Sequence, residues 1–275
     1  MKKIDQNNLK LIQIEILNFI NDFCQKNNIN YWLDCGTLLG AVRHKGYIPW
    51  DDDIDIGMLR KDYDKFMNTF NENNKSKYRA HCYENDKYWT YPFGKVLDES
   101  TILYEPDEKS GIKISVYVDI FVYDNAPTKK ELLKKMYRKR DILYKLNNIQ
   151  RFKKFTEKER QKYNYIRYPF WLLFQLLPKR IFLKKSIKNG KKYKDIETGV
   201  IGNFSDMVSH IKCDKRIFDS FIKLEFEGKK YPVPIGYKDW LEAFYGDYMI
   251  LPPIEKRVSH HKYIAYFKDN YKGSE

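Results

Sequence analysis

The 275-residue sequence contains only four cysteines, and none is placed for a disulfide framework or a zinc site. No two form a CxxC pair and no histidine stands at zinc-finger spacing from them: Cys24, Cys35, Cys82 and Cys213. The wide spacing excludes a disulfide-rich secreted module and a zinc finger. Buried, reduced thiols are therefore the expected state, and with them a cytoplasmic protein.

Long hydrophobic runs are also missing. The N-terminal stretch MKKIDQNNLK is charged and is not followed by the apolar segment that a signal peptide needs. The apolar part of residues 168–185 is too short to cross a bilayer and is flanked by Lys and Arg. Two interpretations stay open for it: a buried helix, or an interfacial helix in peripheral contact with an anionic membrane at its inner, cytoplasmic face.

Acidic residues are scarce in one part of the chain. The net charge is +14, and residues 129–194 hold 23 Lys and Arg against four acids. The rest of the chain has 28 basic and 33 acidic residues. The basic character thus belongs to one segment, which favours a docking surface over a protein that coats nucleic acid. Since no RNA-binding motif accompanies the charge, we expect no nucleic-acid partner.

The hydrophobic pattern predicts an α+β protein with a mixed sheet flanked by helices. Apolar residues at steps of three and four predict helices over 4–28, 38–43 and 61–72. Alternating residues predict strands over 31–33, 54–58 and 112–124, with further strands between 78 and 121. In the last part of the chain, turns are expected at Tyr231-Pro232, Pro234, Gly246 and Pro252-Pro253.

A change of period and composition near Ala126-Pro127 predicts three parts. Residues 1–127 form a core that contains the sheet, and residues 128–198 form a basic helical insert that docks on a membrane or on an acceptor. Residues 199–275 form a mixed C-terminal portion that completes the substrate site.

The run DDDID, residues 51–55, sets four aspartates among large apolar residues. Strand alternation sends the isoleucines inward and sends Asp53 and Asp55 out of one face. Two such carboxylates repel each other and suit a divalent cation, and Asp119, in the middle of the last predicted strand, is the candidate for a third. Oxygen ligands without His or Cys favour Mg²⁺ or Mn²⁺. A solvated acidic loop or a capping cluster is the alternative.

Gly36-Thr37 follows one predicted strand and precedes a predicted helix. The N–H groups of such a turn are able to hold phosphate oxygens, although a plain strand–helix turn has the same pattern. Arg43 and His44, with Lys45, come between this turn and the aspartates and are placed to meet a diphosphate, which Arg binds through two hydrogen bonds. A surface role is equally open for each of the three.

The order strand, Gly-Thr, helix, DxD strand and third acid resembles the fold of the nucleotidyltransferase superfamily. The segment YWLDCGTLLGAVRHKGYIPWDDDIDIGMLRKDYDKF, residues 31–66, is long and specific, and it resembles the signature of the LicD family. Four later segments support this resemblance: YPFGKVLDESTIL, VDIFVYDNAP, YPVPIGYKDWLEAFYGDYM and LPPIEKRVSHHKYIAYFK. It covers nearly the whole chain except the basic central helices.

The resemblance implies a nucleotidyltransferase-like catalytic core over 1–127 that transfers a phospho-substituted alcohol from a CDP-activated donor and releases CMP. LicD-like proteins are expected to move phosphocholine from CDP-choline to a bacterial cell-surface glycan or teichoic acid precursor, including lipid-linked acceptors. Their fukutin relatives use CDP-ribitol. Carried over by position, Asp53, Asp55 and Asp119 are the metal ligands, and Asp119 is also our candidate for accepting the proton of the acceptor hydroxyl.

The remaining candidates are cations. Arg43 and Lys95 are expected to bind the diphosphate, whereas Arg257 and His260 are candidates for contact with nucleotide or acceptor. For all four, an ordinary structural or surface role is the alternative. Two rival functions are transfer of the nucleotidyl group itself to a small molecule, protein or RNA end, and non-catalytic binding of RNA or acidic glycan.

Overall fold

A computed structural model describes residues 1–72, 74–104, 114–151, 164–206, 210, 212–259 and 263–269. The helices in these residues are α1 Gln6–Asn27, α2 Cys35–His44, α3 Arg60–Thr69, α4 Lys130–Arg151, α5 Asn164–Leu176, α6 Ile181–Gly190 and α7 Tyr237–Tyr245. The strands are β1 Lys3–Ile4, β2 Trp32–Leu33, β3 Asp55–Leu59, β4 Tyr78–His81, β5 Gly94–Tyr104, β6 Ile114–Asn125, β7 Val200–Asn203, β8 Cys213–Asp214, β9 Phe221–Phe226, β10 Lys229–Pro234 and β11 Ile264–Phe267. Together they confirm the predicted α+β class.

The predicted elements of the first 127 residues are present, with shifts of a few residues at their ends. The first helix begins at Gln6 rather than at Ile4, because Asp5 caps its N-terminus by accepting a hydrogen bond from the Asn8 N–H. Ile4 instead belongs to β1, which pairs with β11. The first two residues of the predicted strand 112–124 lie outside the described residues.

The turns predicted at Pro232 and Pro234 are wrong, since both prolines lie in β10, which forms a two-stranded hairpin with β9. The Ile235 N–H donates to the Ser220 carbonyl across this hairpin, so N–H groups at odd positions point toward β9. The prolines occupy even positions, where a missing N–H breaks no hydrogen bond of the pair.

In the described residues nine strands form one mixed sheet, whose main path runs β1-β11-β5-β6-β3-β2. Only the β3–β6 pair is parallel among these pairings. β11 comes from the end of the chain yet lies between β1 and β5, while β7 pairs with the end of β6. The N-terminal and C-terminal parts of the chain therefore contribute to the same sheet.

The two faces of β6 differ as its alternation predicts. Val116, Val118 and Ile120 are fully buried apolar residues of one face. On the other face, side chains contact the C-terminal portion: the Tyr117 hydroxyl bonds to that of Tyr263, and Tyr123 packs edge-on against Trp240 with ring centroids 5.4 Å apart. Asp119 lies between these two tyrosines in the alternation, so it belongs to the face that the C-terminal portion covers.

The described residues of the basic segment are mostly helical, as predicted. α4 and α6 pack against each other, and α5 is joined to α6 by stacking of Phe174 on Phe182 at 5.3 Å. None of the described helices has the length and apolar character needed to cross a membrane.

Candidate functional site

The DDDID run is anchored to the start of β3 by backbone hydrogen bonds. The Asp34 N–H donates to the Asp55 carbonyl at 3.0 Å, and the Asp119 N–H donates to the Ile54 carbonyl at 2.9 Å. The Asp55 N–H donates to Thr37 Oγ1 at 2.8 Å, so a buried hydroxyl of α2 holds the first residue of the strand. Thr37 thereby positions Asp55, and its contact with substrate stays a prediction.

Asp55, Asp119 and Lys95 form a row across three adjacent strands. Asp55 pairs with Asp119 between the parallel strands β3 and β6, and Asp119 pairs with Lys95 between β6 and β5. Residues in register on neighbouring strands share one face of a sheet, so these side chains lie on the same face. The row brings together two of the three predicted metal ligands, and no local pattern in the sequence predicts that they lie side by side.

Lys95 is almost completely buried and forms an ion pair with Asp119. Its ammonium group lies 3.4 Å from the centroid of the Tyr117 ring and 4.8 Å from that of Tyr91. Aromatic faces and a carboxylate compensate for the removal of this cation from water. The structure therefore shows Lys95 stabilising the charge of Asp119, whereas its predicted contact with a diphosphate remains a prediction.

Asp51, Asp53 and Asp55 line one cleft of about 780 Å³. Asp52 is turned the other way, is buried and accepts a hydrogen bond from Ser259 Oγ at 2.5 Å. The period of two thus assigns alternate aspartates of the run to opposite sides. One carboxylate oxygen from each of Asp51, Asp52 and Asp53 nevertheless lies within 4.8 Å of the others, so these three could share a cation, whereas Asp55 and Asp119 are outside this group.

The acids of the cleft are crowded enough to change their protonation. Burial, and then the negative charge of Asp53, raise the pKa of Asp51 to about 7. Burial, followed by the charges of Asp53 and Asp119, raises the pKa of Asp55 well above its ordinary value. Both shifts come from burial and from repulsion among the acids, which a bound cation would relieve. Hard oxygen donors in this number fit Mg²⁺ or Mn²⁺.

Gly36 leaves room for one of these carboxylates. A Cβ atom at this position would lie 2.5 Å from Asp51 Oδ2, so a larger residue would displace the acid. The preceding residue, Cys35, has a φ of 45°, a conformation that is strained for a side chain of this kind. Burial, then the charges of Asp34 and Asp55, raise the pKa of the Cys35 thiol well above its ordinary value, which excludes it as a thiolate nucleophile.

Positively charged side chains also line the cleft. Arg43 lines it and is held by donating from Nη1 to the Tyr248 carbonyl at 3.0 Å, and Lys256 lines it as well. The Arg257 guanidinium lies 5.5 Å from the centroid of the Trp50 ring and donates from Nε to the Pro252 carbonyl. Arg43 therefore lines the cleft, whereas Arg257 is not among the described residues that line it and instead contacts Trp50 and Pro252, which do.

Other predicted residues are placed differently. His44 ends α2 and is absent from the described residues that line the cleft. Burial, then the charge of Arg43, lower the pKa of His44, so it is neutral at pH 7. His260 lies outside the described residues. The binding roles of both residues stay predictions.

Three acids of the cleft were not among the predicted site residues: Asp51, Asp206 and Asp247. Asp51 had a signal in the sequence, since it shares the odd parity of Asp53 and Asp55. Asp247 lies in the segment YPVPIGYKDWLEAFYGDYM that carries the family resemblance, but the sequence assigned it no role. Asp206 follows β7 by three residues, in a part of the chain where the sequence predicted no strand. An aromatic wall was also not assigned, and it consists of Trp50, Phe121, Tyr245 and Tyr248.

A family model for the nucleotidyltransferase domain of LicD, FKTN and FKRP matches residues 28–156. The match includes α2, the DDDID run and the whole row from Asp55 to Lys95. Fold and site together therefore define a protein with a nucleotidyltransferase domain of this type.

Individual relatives extend the match. Lipopolysaccharide cholinephosphotransferase LicD of Haemophilus influenzae is 31% identical over 269 residues, which are 97% of this chain and 99% of that protein. Ribitol 5-phosphate transferase FKRP of Homo sapiens is 40% identical over 48 residues, 18% of this chain and 10% of that protein. An uncharacterized protein of Rickettsia typhi is 35% identical over 118 residues, 42% of this chain and 37% of its own. The chain belongs to the LicD family of phosphotransferases.

Proposed function

We propose that this protein is a metal-dependent transferase that moves phosphocholine from CDP-choline to a hydroxyl of a bacterial cell-surface glycan or teichoic acid precursor, releasing CMP. The observation that carries the proposal is the presence of Asp53 and Asp55 in the cleft, with Asp119 of the next strand in register with Asp55, although Asp119 is not itself among the described residues that line the cleft. Similarity to a lipopolysaccharide cholinephosphotransferase over almost the entire length supports the choice of alcohol.

Asp53, Asp55 and Asp119 would hold Mg²⁺ or Mn²⁺, with Asp51 close by. The bound ion supplies positive charge that stabilises the diphosphate and the departing CMP. The ion pair with Lys95 fixes the orientation of the Asp119 carboxylate, which remains within reach of an acceptor hydroxyl as the group that takes its proton.

The cations and the aromatic wall bind different parts of the donor. Arg43, Arg257 and Lys256 provide the positive border against which the donor's phosphates bind. Trp50, Tyr245 and the other aromatic rings offer faces for the cytosine base and for the trimethylammonium group of choline, which binds to aromatic faces by cation–π attraction. In-line transfer then depends mainly on positioning and charge stabilisation.

Donor specificity and product identity test the proposal. We expect Mg²⁺-dependent release of CMP from CDP-choline, faster than from CDP-ribitol or CDP-glycerol, with phosphocholine appearing on a cell-surface glycan fraction. Release of pyrophosphate from CTP or ATP would instead identify a nucleotidyltransferase. Metal-independent binding of RNA or acidic glycan without turnover would contradict both enzymatic assignments.

Comparison of Asp119→Asn with Asp124→Asn tests the catalytic role of the Asp119 carboxylate. Both carboxylates are buried on β6 in ion pairs, but Asp124 pairs with Arg60, at 2.7 Å, away from the cleft. We expect Asp119→Asn to lower kcat by about 10³-fold or more and, because the buried Lys95 loses its charge partner, to lower stability at least as much as Asp124→Asn does. Asp124→Asn should lower stability by about 1–3 kcal/mol and leave kcat within a few-fold. Equal kcat values for the two variants would show that Asp119 has no catalytic role.

A further inference from the structure

Helix α5 exposes an apolar surface that has no part in the reaction proposed above. Six large apolar side chains of this 13-residue helix are about half exposed or more: Tyr165, Tyr168, Phe170, Leu172, Leu173 and Leu176. Scattered exposed apolar residues are ordinary, but six on one short helix form a contiguous patch of the kind that marks an interaction site. This arrangement differs from the buried helix that the sequence left open.

A groove rich in lysine lies between α4 and α6. It has a volume of about 360 Å³, and five lysines line it: Lys135, Lys139, Lys185, Lys188 and Lys192. None of the described residues lining this lysine groove is acidic. All five side chains are exposed, so the groove presents concentrated positive charge to an anionic partner.

The apolar helix lies at one end of the lysine groove. Along α4, Lys135 and Lys139 fall on one stripe that continues through Ile142, which is 58% exposed, to Ile149. There the Gln175 side chain of α5 donates to the Ile149 carbonyl at 3.3 Å. Stacking of Phe174 on Phe182 connects α5 to α6 one turn before its first groove lysine. Apolar patch and lysine groove therefore belong to one continuous surface of the insert.

We propose that α5 and the lysine groove together dock on the surface of a bilayer containing anionic phospholipids. α5 would lie in the plane of the interface with its apolar side chains among the acyl chains, and the lysines would bind headgroup phosphates. A 13-residue helix is about 20 Å long, too short to cross about 30 Å of hydrocarbon, so it lies along the surface. Charge complementarity selects anionic lipid over a neutral partner.

Vesicle co-sedimentation tests the two halves of this surface separately. The 275-residue protein should bind vesicles of 30% phosphatidylglycerol in phosphatidylcholine roughly tenfold or more tightly than vesicles of pure phosphatidylcholine, and less tightly at high salt. Leu172→Ser/Leu176→Ser should weaken binding about tenfold or more by removing apolar anchors. Lys185→Gln/Lys188→Gln/Lys192→Gln should weaken it by a similar factor and reduce the salt dependence.

Matched controls replace equally exposed residues elsewhere. Leu11→Ser/Ile235→Ser removes two side chains that are 57% and 49% exposed, and Lys223→Gln/Lys229→Gln/Lys230→Gln removes three exposed lysines of the β9–β10 hairpin. Both controls should bind vesicles as the wild type does. Circular dichroism checks that every variant is folded, and binding is read without turnover, so the result is independent of the donor specificity proposed above.

Four outcomes would overturn the proposal. One is equal binding of the wild type to anionic and neutral vesicles. A second is unchanged binding of either the leucine or the lysine variant. A third is a dimer in sedimentation velocity that Leu172→Ser/Leu176→Ser dissociates, because a second copy of the chain would then cover α5. Lysine-dependent binding of an RNA oligonucleotide without vesicle binding would likewise replace lipid as the partner.

Discussion

Gly36 contributes to the cleft by leaving space for the side chain of Asp51, although it has no side chain of its own. A Cβ atom at Gly36 would meet Asp51 Oδ2 at 2.5 Å, so the carboxylate of Asp51, which lines the same cleft, would have to move. Loss of this glycine therefore acts through the position of an acid rather than through backbone freedom.

We expect Gly36→Ala to weaken Mg²⁺ binding about tenfold without loss of the fold, because alanine suits a helix while displacing Asp51. Isothermal titration with Mg²⁺ measures the effect. In an Asp51→Ala background the same substitution should change the affinity by less than about twofold, since the clash is gone. A full tenfold effect in that background would show that Gly36 acts by another route.

The raised pKa of Asp51, about 7, predicts how pH and metal act together. Between the ordinary pKa of an aspartate and this value, the folded protein binds more protons than the unfolded chain, so metal-free stability falls as pH rises toward 7. Mg²⁺ favours the ionised acid and should therefore stabilise the protein more at pH 8 than at pH 5. Urea unfolding at both pH values, with and without Mg²⁺, measures this.

Two variants provide the test and the control for that experiment. Asp51→Asn should remove at least about 1 kcal/mol of the difference between the two pH values, whereas Asp239→Asn, which alters an exposed carboxylate of α7, should leave it unchanged. A pH dependence identical in wild type and Asp51→Asn would show that other groups control it.

α2 and β3 act as a unit because one hydroxyl joins them. Thr37 of α2 is buried and accepts the hydrogen bond from the N–H of Asp55, the residue at which β3 begins. The same strand is held on its other side by β6, through pairing of Asp55 with Asp119. A shift of α2 is therefore passed directly to the acid that faces the cleft.

Thr37→Val should lower stability by about 1–3 kcal/mol and kcat by about tenfold or more, because a buried N–H loses its partner and Asp55 loses its fixed position. Thr37→Ser keeps the oxygen and should restore most of both quantities. Chemical denaturation and CMP release are the two measurements. A valine variant with wild-type kcat would show that Asp55 is positioned without Thr37.

The sheet joins the beginning and the end of the chain, so the three predicted parts of the sequence do not correspond to separate sheets. β11 lies between β1 and β5, and Trp240 of α7 donates to the buried carboxylate of Asp34, which also accepts from Tyr123. Burial raises the pKa of Asp34, and these two donors stabilise its ionised form.

A chain that ends at residue 198 should therefore lack a cooperative unfolding transition, since it loses β7, β8 and β11 from the sheet and the partner of Asp34 from α7. Thermal melting followed by circular dichroism, with the full-length chain as reference, measures this. A sharp melting transition in the shortened chain would show that residues 1–198 fold on their own.

The sequence by itself determined the local order of elements over the first 127 residues, the spacing that puts Asp53 and Asp55 on one side of the chain, and the family. Each depends on residues close together in the chain, where helical and strand periods act. It did not reveal that Asp206 and Asp247 reach the cleft, that Lys95 pairs with Asp119, or that α5 is left exposed.

Only the tertiary structure decided those points, because they depend on which distant segments become neighbours. Pairing of β6 with both β3 and β5 sets Asp55, Asp119 and Lys95 in one row, and no local period encodes such pairing. Exposure of α5 likewise depends on what packs against it: a short apolar run has the same pattern in a core and on a surface.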